Sequence, residues 1–573
     1  MGQSLLISDL SACEPAAALS RSPRADQWGV YDYETAESSG VAVYCRPHFH
    51  PPPLSLDLQA AGPHRVFLGI HYGHTHDGLA GKLGERGVDQ FLWARLSGER
   101  AWDLIEPEYF GRKDTMRAQP AFGFADVVEV LWREADLTRR WLEIAPRRTA
   151  RFPGPAAGLA WVRLEPVAEA GESEDARRLI YIGDTDLGEA FPVRPGDVHR
   201  LLDPLAGSDF GLVCWTTSMG DVCYFPSERH PRAFVLDGSG TPYGYPPEAP
   251  EAGFDALATV VGSCHAMGVR VHGTMRPAAS RMPPLHWPRA EGDLFHARPE
   301  VRQVGRDGEP VGHYSFAHPL VRTTLVDVLR EQVTGWPLDG VHLLFNRGWP
   351  FVGFEEPVVR EFVQEHGEDP RALDPMDPRL WRHRARYLDA FMGAVRAMLD
   401  EVGAVRGRRL GLSVTVMAGV EQCLSLGLDV ARWMQERWLD ELIVHPCWLP
   451  NRWLDTDVPG QLSVTAERMR EMARLAEGTG CRVHADMYPR FIPATEYPRR
   501  AREYYYASAD GLCFWDSYCR VPRKSEWNAI RRLGDIDGLE ELAREAEGWR
   551  RVVPLVSAAG MSLHPSHTPA TNG

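Results

Sequence analysis

Hydrophobic and polar positions follow different rhythms in the two halves of the chain. From about Trp28 to Pro166 the apolar residues fall in short runs: Val66-Phe67-Leu68-Gly69-Ile70, Phe91 to Ala94, Val127 to Trp132, Trp141 to Ile144 and Leu159 to Leu164. Gly, Pro and charged turns separate them. Short runs at loose but repeated spacing, with little helical periodicity, predict an all-β sandwich. The polar stretch from Glu169 to Arg178 reads as a surface loop, and Leu179 to Pro204 as a connector.

From Asp209 onward apolar strands alternate with amphipathic helices. Phe210 to Trp215 is a buried-strand run. Phe254 to His265 places Leu257, Val260, Val261 and Cys264 on one stripe and leads into Val269 to Thr274. Leu320 to Val333 is helical, with Val321, Leu325, Val328 and Leu329 on one face, and feeds the strand Gly340 to Phe345. A long helix from about Leu380 to Val402 precedes Leu410 to Val416. Further helices precede the strands Glu441 to His445, Arg482 to Asp486 and Gly511 to Trp515. Repeated βα units of this length predict a parallel sheet closed as a (β/α)8 barrel, with one weaker strand needed between Phe295 and Phe316. An open doubly wound sheet is the alternative, but no GxGxxG follows the first strand. Ser525 to Arg551 reads as a helical pair and the last dozen residues as a flexible tail. The expected division is therefore an N-terminal segment (1–27), a β-sandwich domain (28–205), a catalytic (β/α)8 TIM barrel (206–524), and C-terminal helices with a flexible tail (525–573).

A length of 573 residues agrees with more than one hydrophobic core. The formal charge of -15, from 63 basic and 78 acidic side chains, disfavours nucleic acid as a partner. No apolar run reaches the roughly 18 residues a membrane helix requires. The 10 Cys are spaced singly, without a CxxC pair, and the N-terminus lacks the basic and apolar regions of a signal peptide, so a reducing cytoplasm is expected. Eighteen Trp and 17 Tyr supply rigid amphipathic surfaces suited either to burial or to stacking against ligands.

In a barrel, ligands bind on the loops that leave the C-terminal ends of the strands. That rule selects Trp215, Arg276, Asn346 and Arg347, the loop through Glu355 and Glu356, then Glu421, His445, Trp448, Asp486, Tyr488, Trp515 and Asp516. Carboxylates, arginines and aromatics in one ring suit a sugar: aromatic faces take its C–H side, and Asp, Asn and Arg bond its hydroxyls. Glycosidic hydrolysis needs one carboxyl group to protonate the leaving oxygen and another to attack or to activate water. Glu355 is the first choice for general acid/base, Asp486 for the second carboxylate and Asp516 for a reserve. Each could instead be an N-cap, a salt-bridge partner or a solvated acid, and Glu356, directly before Pro357, fits a helix start. Trp215, Trp448 and Trp515 would stack. Arg276, Asn346 and Arg347 would bind hydroxyls or a charged substituent, and the two arginines fit a structural pair equally well. Glu421, His445 and Tyr488 complete the substrate-binding set. The His71-to-Asp77 cluster has metal-ligand residue types, but nothing like HExxH supports it, so it reads as a polar loop. No metal and no cofactor is called for by any motif.

The block Ala317 to Arg322, followed by Leu338-Asp339-Gly340-Val341-His342-Leu343-Leu344-Phe345-Asn346-Arg347, resembles bacterial glycosyl-hydrolase-like barrels of the group labelled family 10-like. The continuation Phe354 to Val359 with His366 to Arg371 is similar to a subset common in Planctomycetes-type bacteria. The resemblance spans roughly Phe210 to Leu542 and implies a TIM barrel acting on carbohydrate. It departs at Leu344, where the related barrels carry an Asp on the fourth strand. The acid role would then have moved to Glu355 and the other acids, or the chain would bind glycans without cleaving them. A metal-dependent barrel lyase or isomerase, with His445, Asp486 and Asp516 as ligands, is the remaining alternative.

Overall fold

The structure is a computed structural model. It describes residues 4–46, 49–71, 91–106, 126–146, 157–167, 176–183, 194–230, 253–278, 293–448, 461–488, 490, 492–515 and 517–563. Eight parallel strands close into a barrel: Leu179–Gly183, Phe210–Met219, Arg270–Arg276, Gly340–Leu344, Gly411–Met417, Glu441–His445, Arg482–Asp486 and Gly511–Phe514. Closure comes from the first strand, which pairs with both the second and the eighth. The alternation of side chains divides the wall cleanly. Ile180, Ile182, Leu212, Cys214, Leu344, Ile443, Cys513 and Trp515 form an interior cluster. Their neighbours in sequence, such as Tyr181, Val213, Trp215, Leu343, Leu442, Val444, Leu512 and Phe514, belong to the core shared with the surrounding helices.

Strands two to eight lie where the apolar runs predict them, with Phe210–Met219 and Arg270–Arg276 standing second and third instead of first and second. The first does not. Leu179–Gly183, expected as connector, is the first barrel strand, and its LIYIG run is buried up to the last residue. The strand sought between Phe295 and Phe316 is instead a small antiparallel hairpin, Arg302–Val304 with Pro310–Tyr314, outside the barrel sheet. Arg270–Arg276 is the third strand, so the barrel needs nothing from that segment.

Two sheets make up the N-terminal region. One contains Trp28–Thr35, Ser39–Tyr44, Gly158–Pro166, Pro63–His71 and Asp126–Asp136; the other contains Leu54–Asp57, Trp141–Ala145, Leu92–Leu96 and Asp103–Ile105. Leu54, Leu56, Leu92, Leu96, Leu142 and Ile144 of the smaller sheet share one core with Val43, Val66, Leu68, Ile70, Val130 and Leu164 of the larger, which is sandwich packing.

The C-terminal extension carries the expected helices and adds a strand, and residues 564–573 of the expected tail lie outside the described residues. After the helices Lys524–Ile530 and Leu539–Glu545, Arg550–Ala558 returns as a strand between Asp126–Asp136 and Trp28–Thr35. Arg551 of this strand and Arg163 clamp the buried Glu129, which also accepts from Trp161 Nε1 at 2.6 Å. The barrel and the sandwich meet at Asp103, which pairs with the buried Lys524 and accepts from Trp132 Nε1 at 2.7 Å. Among the described residues, no helix is long and apolar enough to cross a membrane.

Candidate functional site

His445 ends the sixth barrel strand and Asp486 the seventh. Their strands pair in parallel with Val444 opposite Ala485, so the next residue on each comes side by side facing inward. His445 Nδ1 and Asp486 Oδ2 are 2.7 Å apart, and the Trp515 amide donates to Asp486 Oδ1 at 3.0 Å. Both side chains are buried. Burial alone would raise the Asp486 carboxyl; the hydrogen bond and charge of His445, the Arg520 charge and the Trp515 amide hold it below the ordinary carboxylate value. Burial pushes the His445 imidazole down more strongly than Asp486 pulls it up, and Arg347 and Arg490 add to the depression. The pair therefore rests as carboxylate and neutral imidazole. Nδ1 then carries the proton, and Nε2, bonded by no described residue, is left as a base.

Trp515 and Arg347 flank this pair. The Trp515 ring lies 4.7 Å from the His445 ring, and the Arg347 guanidinium sits 5.6 Å from the Trp515 ring. Arg347 Nη1 also donates to the Asn346 carbonyl at 3.2 Å, and Asn346 is fully buried just past the fourth strand. Trp515 is only 1 % exposed, so it is a wall between His445 and Arg347 and has no open face for a sugar. Trp215 is likewise unsuited to stacking, because the alternation of its strand turns it into the core between strands and helices.

Glu355 occupies a different place. It precedes the helix Glu356–His366, and its carboxylate accepts from the Val304 amide at 3.0 Å and the Gly353 amide at 3.0 and 3.1 Å, with Ser315 also bonded to it. It thereby ties the loop after strand four to the hairpin at Arg302–Val304. Burial raises its carboxyl above the ordinary glutamate value, and these bonds only partly offset the rise. None of its hydrogen bonds reaches His445 or Asp486. Glu421 is exposed in the first turn of Val420–Ser425, Arg276 is half-buried at the end of the third strand, and Tyr488 is half-buried, its carbonyl accepting from Arg500 Nη1 at 2.5 Å. Asp516, the side chain of Trp448 and residues 72–77 of the histidine cluster lie outside the described residues. His71 Nδ1 lies 2.5 Å from the Tyr31 hydroxyl. Among the described residues no three His, Cys, Asp or Glu converge as a metal site.

The hydrolase reading of the sequence gives His445 and Asp486 separate roles, and only the metal alternative groups them, with Asp516; the structure joins the two by a direct hydrogen bond. The signal was available: with the register of strands six and seven, E-L-I-V-H and R-V-H-A-D bring the last residue of each together. Arg520, discussed below, carried no motif that would have singled it out.

No family profile matches the chain, and no curated protein matches it. Solved structures similar to it include alpha-L-fucosidase isoenzyme 2 from Paenibacillus thiaminolyticus, at 12% identity and a TM-score of 0.38, covering 64% of this chain and 50% of that one. A cycloisomaltooligosaccharide glucanotransferase from Paenibacillus sp. is similar at 9% identity and a TM-score of 0.34, covering 80% and 53%. A GH36 alpha-galactosidase from Geobacillus stearothermophilus stands at 9% identity and 0.33, covering 89% and 64%. The chain spans about half the length of the first two.

Proposed function

We propose that this chain is a carbohydrate-active enzyme of glycoside-hydrolase type, working at the C-terminal mouth of its barrel. One observation carries the reading: Glu355, on the loop after strand four, and Asp486, at the end of strand seven, sit in surroundings that bias their carboxyl groups in opposite directions. Burial favours the protonated form of Glu355, and the bonds to His445 and Trp515 favour the ionised form of Asp486. Two carboxyl groups pushed apart in this way suit an acid and a base working on one bond. In this reading Glu355 gives its proton to the leaving oxygen. Asp486 acts through His445, whose Nε2 takes a proton from the attacking water. Arg347, Asn346 and Arg276 would bind hydroxyls or a charged substituent. The strand-four block that resembles the family 10-like group agrees with a carbohydrate substrate.

Screening the protein against nitrophenyl glycosides and polysaccharides, with Glu355→Gln and Asp486→Asn in parallel, tests the assignment. Cleavage by the wild type, reduced by about two orders of magnitude or more in each variant, is expected. Unchanged activity in both variants would remove these residues from the mechanism.

A second reading, glycan binding without cleavage, has its own observation. Leu344, where the related barrels carry an acid, packs in the interior cluster with Ile443 and Trp515, so the fourth strand offers no acid there. Binding of an oligosaccharide with no release of reducing ends would favour it.

A further inference from the structure

Arg520 is fully buried on the short helix that follows the eighth strand. Its guanidinium donates to three backbone carbonyls from two different strand exits: Met487 at 2.7 Å and Arg490 at 3.0 Å after strand seven, and Trp515 at 3.2 Å after strand eight. A fourth acceptor, the Tyr497 hydroxyl at 3.3 Å, is itself anchored on the Arg490 carbonyl at 2.6 Å. No carboxylate among the described residues bonds Arg520. A buried cation without a bonded anion is expensive, and an apolar side chain would fill the same space at lower cost. The position of the clamp supplies the reason. Met487 directly follows Asp486, and Trp515 is the residue whose amide holds Asp486 Oδ1.

From this geometry we infer that Arg520 is a positioning residue: it locks the exits of strands seven and eight so that Asp486 meets His445 Nδ1, and it keeps a positive charge behind the carboxylate. The inference rests on His445–Asp486 being the working pair. The groups around that pair are His445 on strand six, Cys513 and the Trp515 amide on strand eight, Tyr504 on the helix Glu496–Tyr506, Arg347 and Arg490 facing the imidazole, and Arg520.

The test reads the imidazole directly, so it does not depend on any substrate. Full-length protein labelled with ¹⁵N-histidine, with His445→Gln identifying the signal, reports the tautomer and titration midpoint of His445 in Arg520→Lys and Arg520→Gln. The wild type is expected to show the Nδ1–H tautomer. Arg520→Lys keeps the charge but cannot span three carbonyls, so the tautomers should become mixed while the midpoint stays in place. Arg520→Gln loses both, so the midpoint should also rise. A folded Arg520→Lys or Arg520→Gln with the wild-type tautomer and midpoint would overturn the inference. Should neither fold, Tyr497→Phe loosens the same clamp and must shift the tautomer balance; no shift overturns it. Where a cleaved substrate is in hand, Arg520→Lys should lower kcat about tenfold with KM little changed, and should add nothing to Asp486→Asn. An absence of activity in the wild type with the expected tautomer changes would count against the hydrolase reading and leave the positioning role standing.

Discussion

The sixth and seventh barrel strands carry a carboxylate–imidazole pair twice, once at each end. At the N-terminal end Glu441 on strand six meets His484 Nε2 on strand seven at 2.7 Å; at the mouth His445 on strand six meets Asp486 on strand seven at the same distance. The environments then diverge. Glu441 has a second, ionic set of partners, Arg270 Nη2 at 3.0 Å and Arg482, both on Oε1, while His484 takes Oε2. Burial opposes its ionisation, yet His484, Arg482 and Arg270 together depress its carboxyl far below the ordinary value. His272 and His342 share the Ser413 hydroxyl at 2.8 Å each, and a Cβ on Gly340 or Gly411 would come within 2.7 or 2.6 Å of His272 Nε2. At the mouth Asp486 meets a single imidazole and a backbone amide and no arginine; His445 Nε2, like His484 Nδ1, is unbonded by the described residues. The lower carboxylate is thus held by two arginines and an imidazole inside the barrel wall, whereas the upper one is bonded to one imidazole and one backbone amide at the strands' C-terminal ends, where barrels bind ligands.

Breaking the lower pair should cost the most. Glu441→Gln leaves two arginines beside a buried position without their carboxylate, and removing one partner of a buried pair costs about 3 kcal/mol or more. Arg270 and Arg482 are 43% and 47% exposed, so water takes up part of the strain and the lower figure applies. A urea titration should show this loss, while His445 keeps its wild-type titration. A loss under about 1 kcal/mol would erase the structural role given to this end.

At the mouth the balance should reverse. Asp486→Asn keeps an oxygen for one of its two donors and turns an amide N–H towards the other, so the expected stability loss is about 1–2 kcal/mol. Its larger expected consequence is on His445, which loses the anion that fixes its tautomer. A stability loss as large as that of Glu441→Gln, with the His445 tautomer unchanged, would invert the comparison.

Acid titration separates the two ends further. Both carboxyls are depressed in the folded chain, so each contributes stability that is complete above its unfolded value and lost as pH falls through the folded one. For Glu441 that loss starts below its ordinary 4.5, and for Asp486 below 3.8. The slope of unfolding free energy against pH in this acid range should flatten in Glu441→Gln, and flatten less in Asp486→Asn, whose carboxyl has no arginine bonded to it. Equal flattening would mean that the arginines at the lower end contribute nothing beyond the imidazole.

Local pattern made strands four to eight legible because each is an apolar run directly after an amphipathic helix. It failed where pairing is long-range. Leu179–Gly183 is five residues behind a charged loop, and only its partners at both edges of the closing sheet identify it as the first strand. Arg550–Ala558 opens with two arginines and contains Pro554, which argue against an interior strand, yet Val553 and Leu555 alternate inward and the segment pairs with strands more than 400 residues earlier. For the candidate site, the barrel rule selects His445, Asp486, Arg347 and Trp515, which the structure brings near one another, because strand ends are readable. Their assembly into one unit required the register, and the burial of both Trp215 and Trp515 required knowing which face each occupies.

Glu355 gives the smallest expected effect, and its sign sharpens the contrast. Its carboxyl is raised, so its contribution to stability is greatest where it is protonated and declines as pH rises through the folded value, above its ordinary 4.5. Glutamine resembles the protonated acid: its oxygen still accepts from the Val304 and Gly353 amides, and it has no charge to bury. Glu355→Gln should therefore match the wild type in acid and become the more stable of the two towards neutral pH, by on the order of 1 kcal/mol. Thermal melts of both proteins across pH 4 to 8 measure the crossing. The direction is opposite to that expected for Glu441→Gln, since cations favour the ionised form of one acid and burial favours the protonated form of the other. If Glu355→Gln is instead the less stable at neutral pH, its carboxylate is being used in ionised form to hold the hairpin, and it belongs with Glu441 among the structural acids and not with the mouth.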